Sequence, residues 1–265
     1  MVTISYQLCS GIENECLLRV DKGPLARKSR RLLSNNHMQI MNYLVLIIGL
    51  LFLVLVAPMS LAQTPPSAFD YERYDRAFKA VYDGDIEQVK RLLDSGFPLN
   101  KRDGSQRTTL HIAAYQSHDK ILKLLVEAGG DINALEYMRY DVITIAAVAD
   151  DVRLLKLALH LGGNSTNVTS LYDGTALIAA AHLGHAEVVK VLLEAGAPVN
   201  HVNNLGWTAL LEAIILGDGE ENYVKTVRHL LAHGADLNLA DRNGINPLQH
   251  AKTRGYSDIE KMLLD

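Results

Sequence analysis

Residues 173–200 read DGTALIAAAHLGHAEVVKVLLEAGAPVN, and their pattern decides the fold. Leu177, Ala180 and Ala181 lie three and four apart, which puts them on one face of a short helix. Gly184 ends that helix, because a residue without Cβ enters the left-handed conformation cheaply. Val188, Val189, Leu192 and Leu193 then form the apolar stripe of a second helix, with Glu187, Lys190 and Glu194 facing water. Gly196 closes it, and a polar connection ending at Asn200 leads onward.

The same close recurs along the chain as a glycine followed four residues later by an asparagine: Gly96/Asn100, Gly129/Asn133, Gly163/Asn167, Gly196/Asn200 and Gly234/Asn238. The asparagines are 33, 34, 33 and 38 residues apart. A fixed period in this range marks a solenoid whose core is built between neighbouring units. An all-α stack of paired helices is therefore expected.

Unit for unit, the sequence resembles the ankyrin repeat. The resemblance rests on the Thr-x-Leu-His-x-Ala-Ala opening at Thr108 to Ala114, the Gly184-His185 turn, the apolar run at Val188 to Leu193, and closes such as Gly129 to Asn133. It also rests on Gly206 to Leu210, Gly234 to Asn238, and the opening at Asp241 to Leu248. It covers about residues 72–265, as units 72–101, 102–134, 135–168, 169–202, 203–240 and 241–265 with short hairpin-like finger loops. The first unit lacks the opening turn and starts with a helix near Tyr74. The third departs from the pattern, with Asp141 opening it and Asp150-Asp151 replacing Gly-His. The fifth carries five extra residues: Thr208 to Gly234 spans 26 positions against 21 from Thr175 to Gly196. That insertion, around residues 217–222, is expected to bulge between the two helices of its unit. The terminal units are expected to act as polar-faced caps.

Upstream, residues 43–57 form a short apolar run, followed by Pro58 and by Ser60-Leu61-Ala62. This is the pattern of a signal peptide over 38–62 cleaved after Ala62, with residues 63–71 a flexible polar lead-in. About 14 apolar residues before Pro58 fall short of the roughly 20 that a spanning helix needs. Residues 1–37 lack periodicity and carry Arg27, Lys28, Arg30 and Arg31; they read as an extension upstream of a true start at Met38 or Met41, the alternative being a long basic leader. Export to a bacterial periplasm follows, and an uncleaved membrane anchor is the competing expectation.

Charge and cysteine narrow the function. Residues 1–62 hold 6 Lys+Arg and 3 Asp+Glu, leaving 20 and 27 in the remainder. No basic block lies in the repeats, so nucleic acid is not an expected partner. Both cysteines, Cys9 and Cys16, precede the repeats, which therefore lack any disulfide or thiol ligand. There is no nucleophile motif and no phosphate-cradling loop. His229 and His233 lie four apart, the one histidine pair with metal-ligand spacing, but no acidic third ligand accompanies them. No cofactor, metal or catalytic residue is expected, the alternative being a metal binder or enzyme built on the His229/His233 helix.

The resemblance implies a monomeric, non-catalytic module that binds one or more proteins along finger tips and inner helices. In this chain those positions are Lys101, Arg102, Tyr137, Tyr140, Tyr172, Asn204 and Trp207 on the fingers, and Tyr115, His182 and Glu212 on inner helices. Arg102, Tyr115, Tyr137, Tyr140, Tyr172, Asn204 and Trp207 are the expected contacts, since aromatics and arginine make strong interface anchors. The resemblance also implies that the His111 ring bonds neighbouring backbone, and that His185 is structural.

Overall fold

The structure is a computed structural model that describes residues 65–264. The expected extension, signal segment and cleavage site lie outside the described residues. Helix α1 (Ala68–Arg73) leads into six helix pairs. These are α2 (Arg76–Tyr82) with α3 (Ile86–Asp94), α4 (Thr109–Tyr115) with α5 (Asp119–Glu127), and α6 (Val142–Val148) with α7 (Val152–His160). They continue as α8 (Ala176–His182) with α9 (Ala186–Glu194), α10 (Ala209–Ile215) with α11 (Glu221–Ala232), and α12 (Pro247–Arg254) with α13 (Ser257–Met262). No helix of the described residues is long and apolar enough to cross a membrane.

Helices this short are marginal alone, so packing between units has to hold them. The first members of the pairs pack in a row, α2 on α4 and so on to α12, and the second members form an outer row. Between the rows lie Leu110, Ile112, Leu122, Leu155, Leu177 and Leu192, each 1 % exposed or less. Alanines such as Ala113, Ala146, Ala180 and Ala213, all 0 % exposed, line the inner row and let its helices approach closely. Each inner helix begins at an oxygen-bearing residue: Asp75, Thr108, Asp141, Thr175, Thr208 or Asn246. Five of these side chains accept a first-turn N–H, capping donors that the helix cannot satisfy itself. At Thr108 the His111 ring reaches back and accepts the N–H of the cap residue itself.

Three hydrogen-bonded seams join the units. Asn133 accepts the Asn164 N–H at 2.8 Å and donates to the Gly162 carbonyl at 3.2 Å. Asn200 repeats this with Asp236 at 2.8 Å and Gly234 at 3.0 Å. At these two positions the recurrent asparagine is a clamp onto the next unit. A second seam runs along the turns between inner and outer helices. There His118, His185, Tyr223 and Tyr256 each bond a carbonyl of the preceding unit, at Tyr82, Ala147, His182 and Gly217 respectively. The third seam joins the fingers.

Departures from the expected pattern have local causes. The lead-in is helical over α1, because Ser67 and Asp70 cap it reciprocally and Asp70 reaches Arg107 at 3.1 Å. Asp150 takes the left-handed φ of 54° that Gly184 takes at 69° in the next unit, and Asp151 caps α7. The five extra residues of the fifth unit do not all bulge. Part of the insertion lengthens α11 to 12 residues against 9 in α9, and Gly217 and Gly219 sit under the Tyr223 and Tyr256 rings. A Cβ at Gly217 would lie 2.2 Å from the Ala213 carbonyl oxygen and 2.5 Å from the Tyr223 ring. Gly217→Ala is therefore expected to cost about 1–3 kcal/mol in a urea melt. A loss below about 0.5 kcal/mol would show that the turn yields freely.

Candidate protein-binding face

The connections between units, residues 95–108, 128–141, 161–175, 195–208 and 233–246, are the fingers, numbered one to five. Each turns at a five-residue tip headed by Asp103, Glu136, Ser170, Asn203 or Asp241. In every tip the head side chain accepts N–H bonds from the residues two and four positions on. Four tips also close a backbone bond from the first residue to the fifth. Finger three forms a two-stranded antiparallel hairpin instead, β1 (Val168–Thr169) against β2 (Gly174–Thr175). Glu136 does the work of aspartate with one more methylene.

Neighbouring fingers are bonded side by side. Tyr137 N–H donates to Ser105, Ser170 N–H to Arg139, and Asn204 N–H to Tyr172, at 3.0, 3.3 and 2.9 Å. Arg102 donates to carbonyls of Gln106 and Leu135 at 2.7 and 2.6 Å. Arg139 pairs with Asp173 at 3.0 Å. The tips therefore form one surface whose backbone shape is set before anything touches it.

His111 shows how this surface is fastened to the helices. The ring is 0 % exposed. Its Nδ1 accepts the Thr108 N–H at 3.1 Å, and its Nε2–H donates to the Tyr140 carbonyl of finger two at 3.2 Å. Burial pushes its pKa down to about 4, against the opposing effect of the Tyr140 bond. The ring is therefore neutral at pH 7, in the tautomer these bonds require. Burial likewise raises the carboxyl pKa values of Glu136 and Asp141, although finger N–H groups and the Asn167 amide pull each down.

The expected contact residues separate on this framework. Tyr137 is 70 % exposed, and Arg102 and Asn204 are exposed. Tyr115, Tyr172 and Trp207 are half-buried. Tyr140 is 8 % exposed and belongs to the core, so its ring is not an open anchor. Glu212 was expected in the groove and is 0 % exposed. It accepts from Asn203 Nδ2 at 2.9 Å and from His182 Nδ1 at 3.1 Å, tying finger four to two inner helices. Two residues that the residue-type argument passed over stand out: Leu171 is 53 % and Val202 45 % exposed, on fingers three and four. The available signal was an aliphatic side chain in a stretch otherwise polar. His233 Nδ1 bonds the His229 carbonyl at 2.8 Å, and no group of three metal-ligating side chains occurs among the described residues.

Comparison with known proteins agrees with this architecture. Models described as ankyrin repeats match residues 77–139 and residues 143–239. The ankyrin repeat protein YahD of Escherichia coli is 40 % identical over 99 residues, 37 % of this chain and 49 % of YahD. The chain thus spans about half the length of that curated relative, and less of the next two, 7 % and 20 %. An ankyrin repeat domain from Acinetobacter baumannii superposes with a TM-score of 0.68 at 45 % identity, covering 71 % of this chain and 95 % of its own. The ankyrin repeat protein EF0377 also gives 0.68, at 31 % identity, covering 72 % and 98 %. The chain belongs to the ankyrin-repeat family.

Proposed function

We propose that this protein is a non-catalytic, exported binding module that takes one or more partner proteins on its fingers and inner helices, centred on units two to four. The observation that carries the reading is the set of large apolar side chains held open on bonded fingers: Tyr137 at 70 %, Leu171 at 53 % and Val202 at 45 % exposure. Exposed apolar groups on a surface that is otherwise internally satisfied favour an interface. A surface already ordered spares the entropy of ordering, so modest contact area gives useful affinity. Arg102, Tyr172, Asn204 and Trp207 would border that contact, and Tyr115 would lie behind it on the inner row.

Quantitative capture of partners from the native compartment tests this with wild type beside the Tyr137→Ala/Leu171→Ala variant. Loss of two central anchors is expected to weaken the complex by about 2–4 kcal/mol, more than about thirtyfold. Recovery of the same proteins in the same yield by both would remove the proposed surface. Export is tested separately by sequencing the amino terminus of the mature protein. A start at Gln63 is expected from the apolar run and the small residues before it. Retention of residues 43–57 would make the protein a membrane-tethered scaffold instead.

A further inference from the structure

Charge is unevenly spread over the fingers. Fingers three and four, residues 161–175 and 195–208, hold one formally charged side chain, Asp173, in a chain that is 21 % charged. Asp173 is already paired with Arg139 of finger two at 3.0 Å. The one histidine of the two fingers, His201, bonds the Asp173 carbonyl at 2.6 Å. On this neutral ground stand Val168, Leu171 and Val202, with Tyr137 beside them on finger two, all exposed. Depletion of charge around large apolar side chains marks the centre of an interface rather than its rim.

The backbone of these fingers is largely engaged. Ser170 accepts the N–H groups of Tyr172 and Gly174, and Asn203 those of Leu205 and Trp207. Ser170 N–H and Asn204 N–H reach back to the preceding finger, and Asn204 Nδ2 donates to the Leu171 carbonyl at 3.2 Å. An extended segment laid across them would meet donors already taken, and would carry its own amides out of water unpaired. An α-helix satisfies its backbone internally and needs only side-chain contact.

Spacing favours a helix as well. The inner helices α4, α6, α8 and α10 pack side by side, so the fingers leading into them recur about 8–10 Å apart. Seven residues of α-helix advance about 10.5 Å and return to nearly the same face. On an extended strand the same-face steps are roughly 7 and 13 Å, and neither matches. Tyr137 and Leu171 each directly follow the head of their tip, one finger apart, and Val202 lies one finger further.

We propose that fingers two to four bind an amphipathic helix of the partner, lying along the array with uncharged apolar residues seven apart on Tyr137, Leu171 and Val202. This rests on the protein-binding reading above, and adds the form of the bound segment and the charge of its contact stripe. A charged residue in that stripe would lose its water, and the one formal charge facing it on fingers three and four, Asp173, is already held by Arg139.

The test is selection on the immobilised full chain from a phage-displayed library of random peptides about 20 residues long, which as helices span about 30 Å. Selected peptides are expected to share apolar residues seven apart with no charge on that stripe, and a synthetic copy to show helical Cα chemical shifts when bound. Leu171→Glu and Val202→Glu, both at exposed positions, are each expected to weaken a selected peptide by about tenfold or more. Phe69→Glu, an exposed apolar position on α1 away from the fingers, should leave its affinity unchanged. The proposal is overturned if selected peptides alternate with a period of two, carry charge on the contact stripe or bind in an extended form. It is also overturned if no peptide is selected that the two finger variants weaken. Should Tyr137→Ala/Leu171→Ala still abolish capture of the native partner while the selected peptides are extended, the surface stands and the helix falls. Should capture be unaffected, the surface itself falls.

Discussion

Taking the protein from pH 7 to pH 4 is expected to remove about 3 kcal/mol of folding stability through His111 alone. The folded pKa, about 4, lies below the ordinary value of 6.5. Above pH 6.5 the ring is neutral in both states and contributes no pH dependence. As pH falls through the window from 6.5 to 4, the unfolded chain takes a proton that the folded ring refuses, so stability declines. Below pH 4 the loss is complete, since both states are then protonated. Glu136 and Asp141 act in the opposite sense. Their raised pKa values penalise the folded state near neutrality, and acid relieves that penalty. The contribution of His111 is therefore read as a difference. Urea melts across this range, wild type against His111→Gln, should show the variant weaker at pH 7 and less sensitive to acid by about 3 kcal/mol. Parallel curves for the two proteins would mean that His111 does not resist protonation.

Glu212→Ala is expected to cost about 3 kcal/mol, as much as a sizeable core deletion. The carboxylate is 0 % exposed and is the acceptor for both Asn203 Nδ2 and His182 Nδ1. Truncation orphans the buried Asn203 amide, deprives the part-buried His182 ring of its partner and opens a void. Glu212→Gln, which keeps an acceptor for Asn203, should lose less. Chemical denaturation of both variants checks the order. An alanine variant within about 0.5 kcal/mol of wild type would show that the network is ornamental to stability. Because Asn203 heads the tip of finger four, the alanine variant should also loosen that finger, visible as faster amide exchange at Trp207.

The period, the paired short helices and the all-α stack were legible in the amino-acid sequence, because they rest on local bonding and spacing. Whereas Asn133 and Asn200 bond groups 29 to 36 positions away, the oxygen-bearing residue before each inner helix and the histidine three residues after Thr108 act through bonds set by residue type and short spacing. Such rules survive without coordinates, because helix ends and turns leave the same backbone groups unsatisfied wherever they occur. Even the third unit obeys them, with Asp141 in the threonine's place and Asp150 in the glycine's.

Exposure was decided only by the tertiary structure. Tyr137 and Tyr140 are three residues apart on one finger, yet one is 70 % and the other 8 % exposed. Glu212 falls on the expected groove-facing stripe, but the imidazole of the preceding unit and the amide of finger four close over it. Helix α1 was unreadable for a similar reason, since its Asp70 finds Arg107, 37 positions away. In a stacked array each unit's surface is finished by its neighbour. Local pattern determines what a residue can bond, and the adjoining unit determines whether water or another side chain is there to meet it.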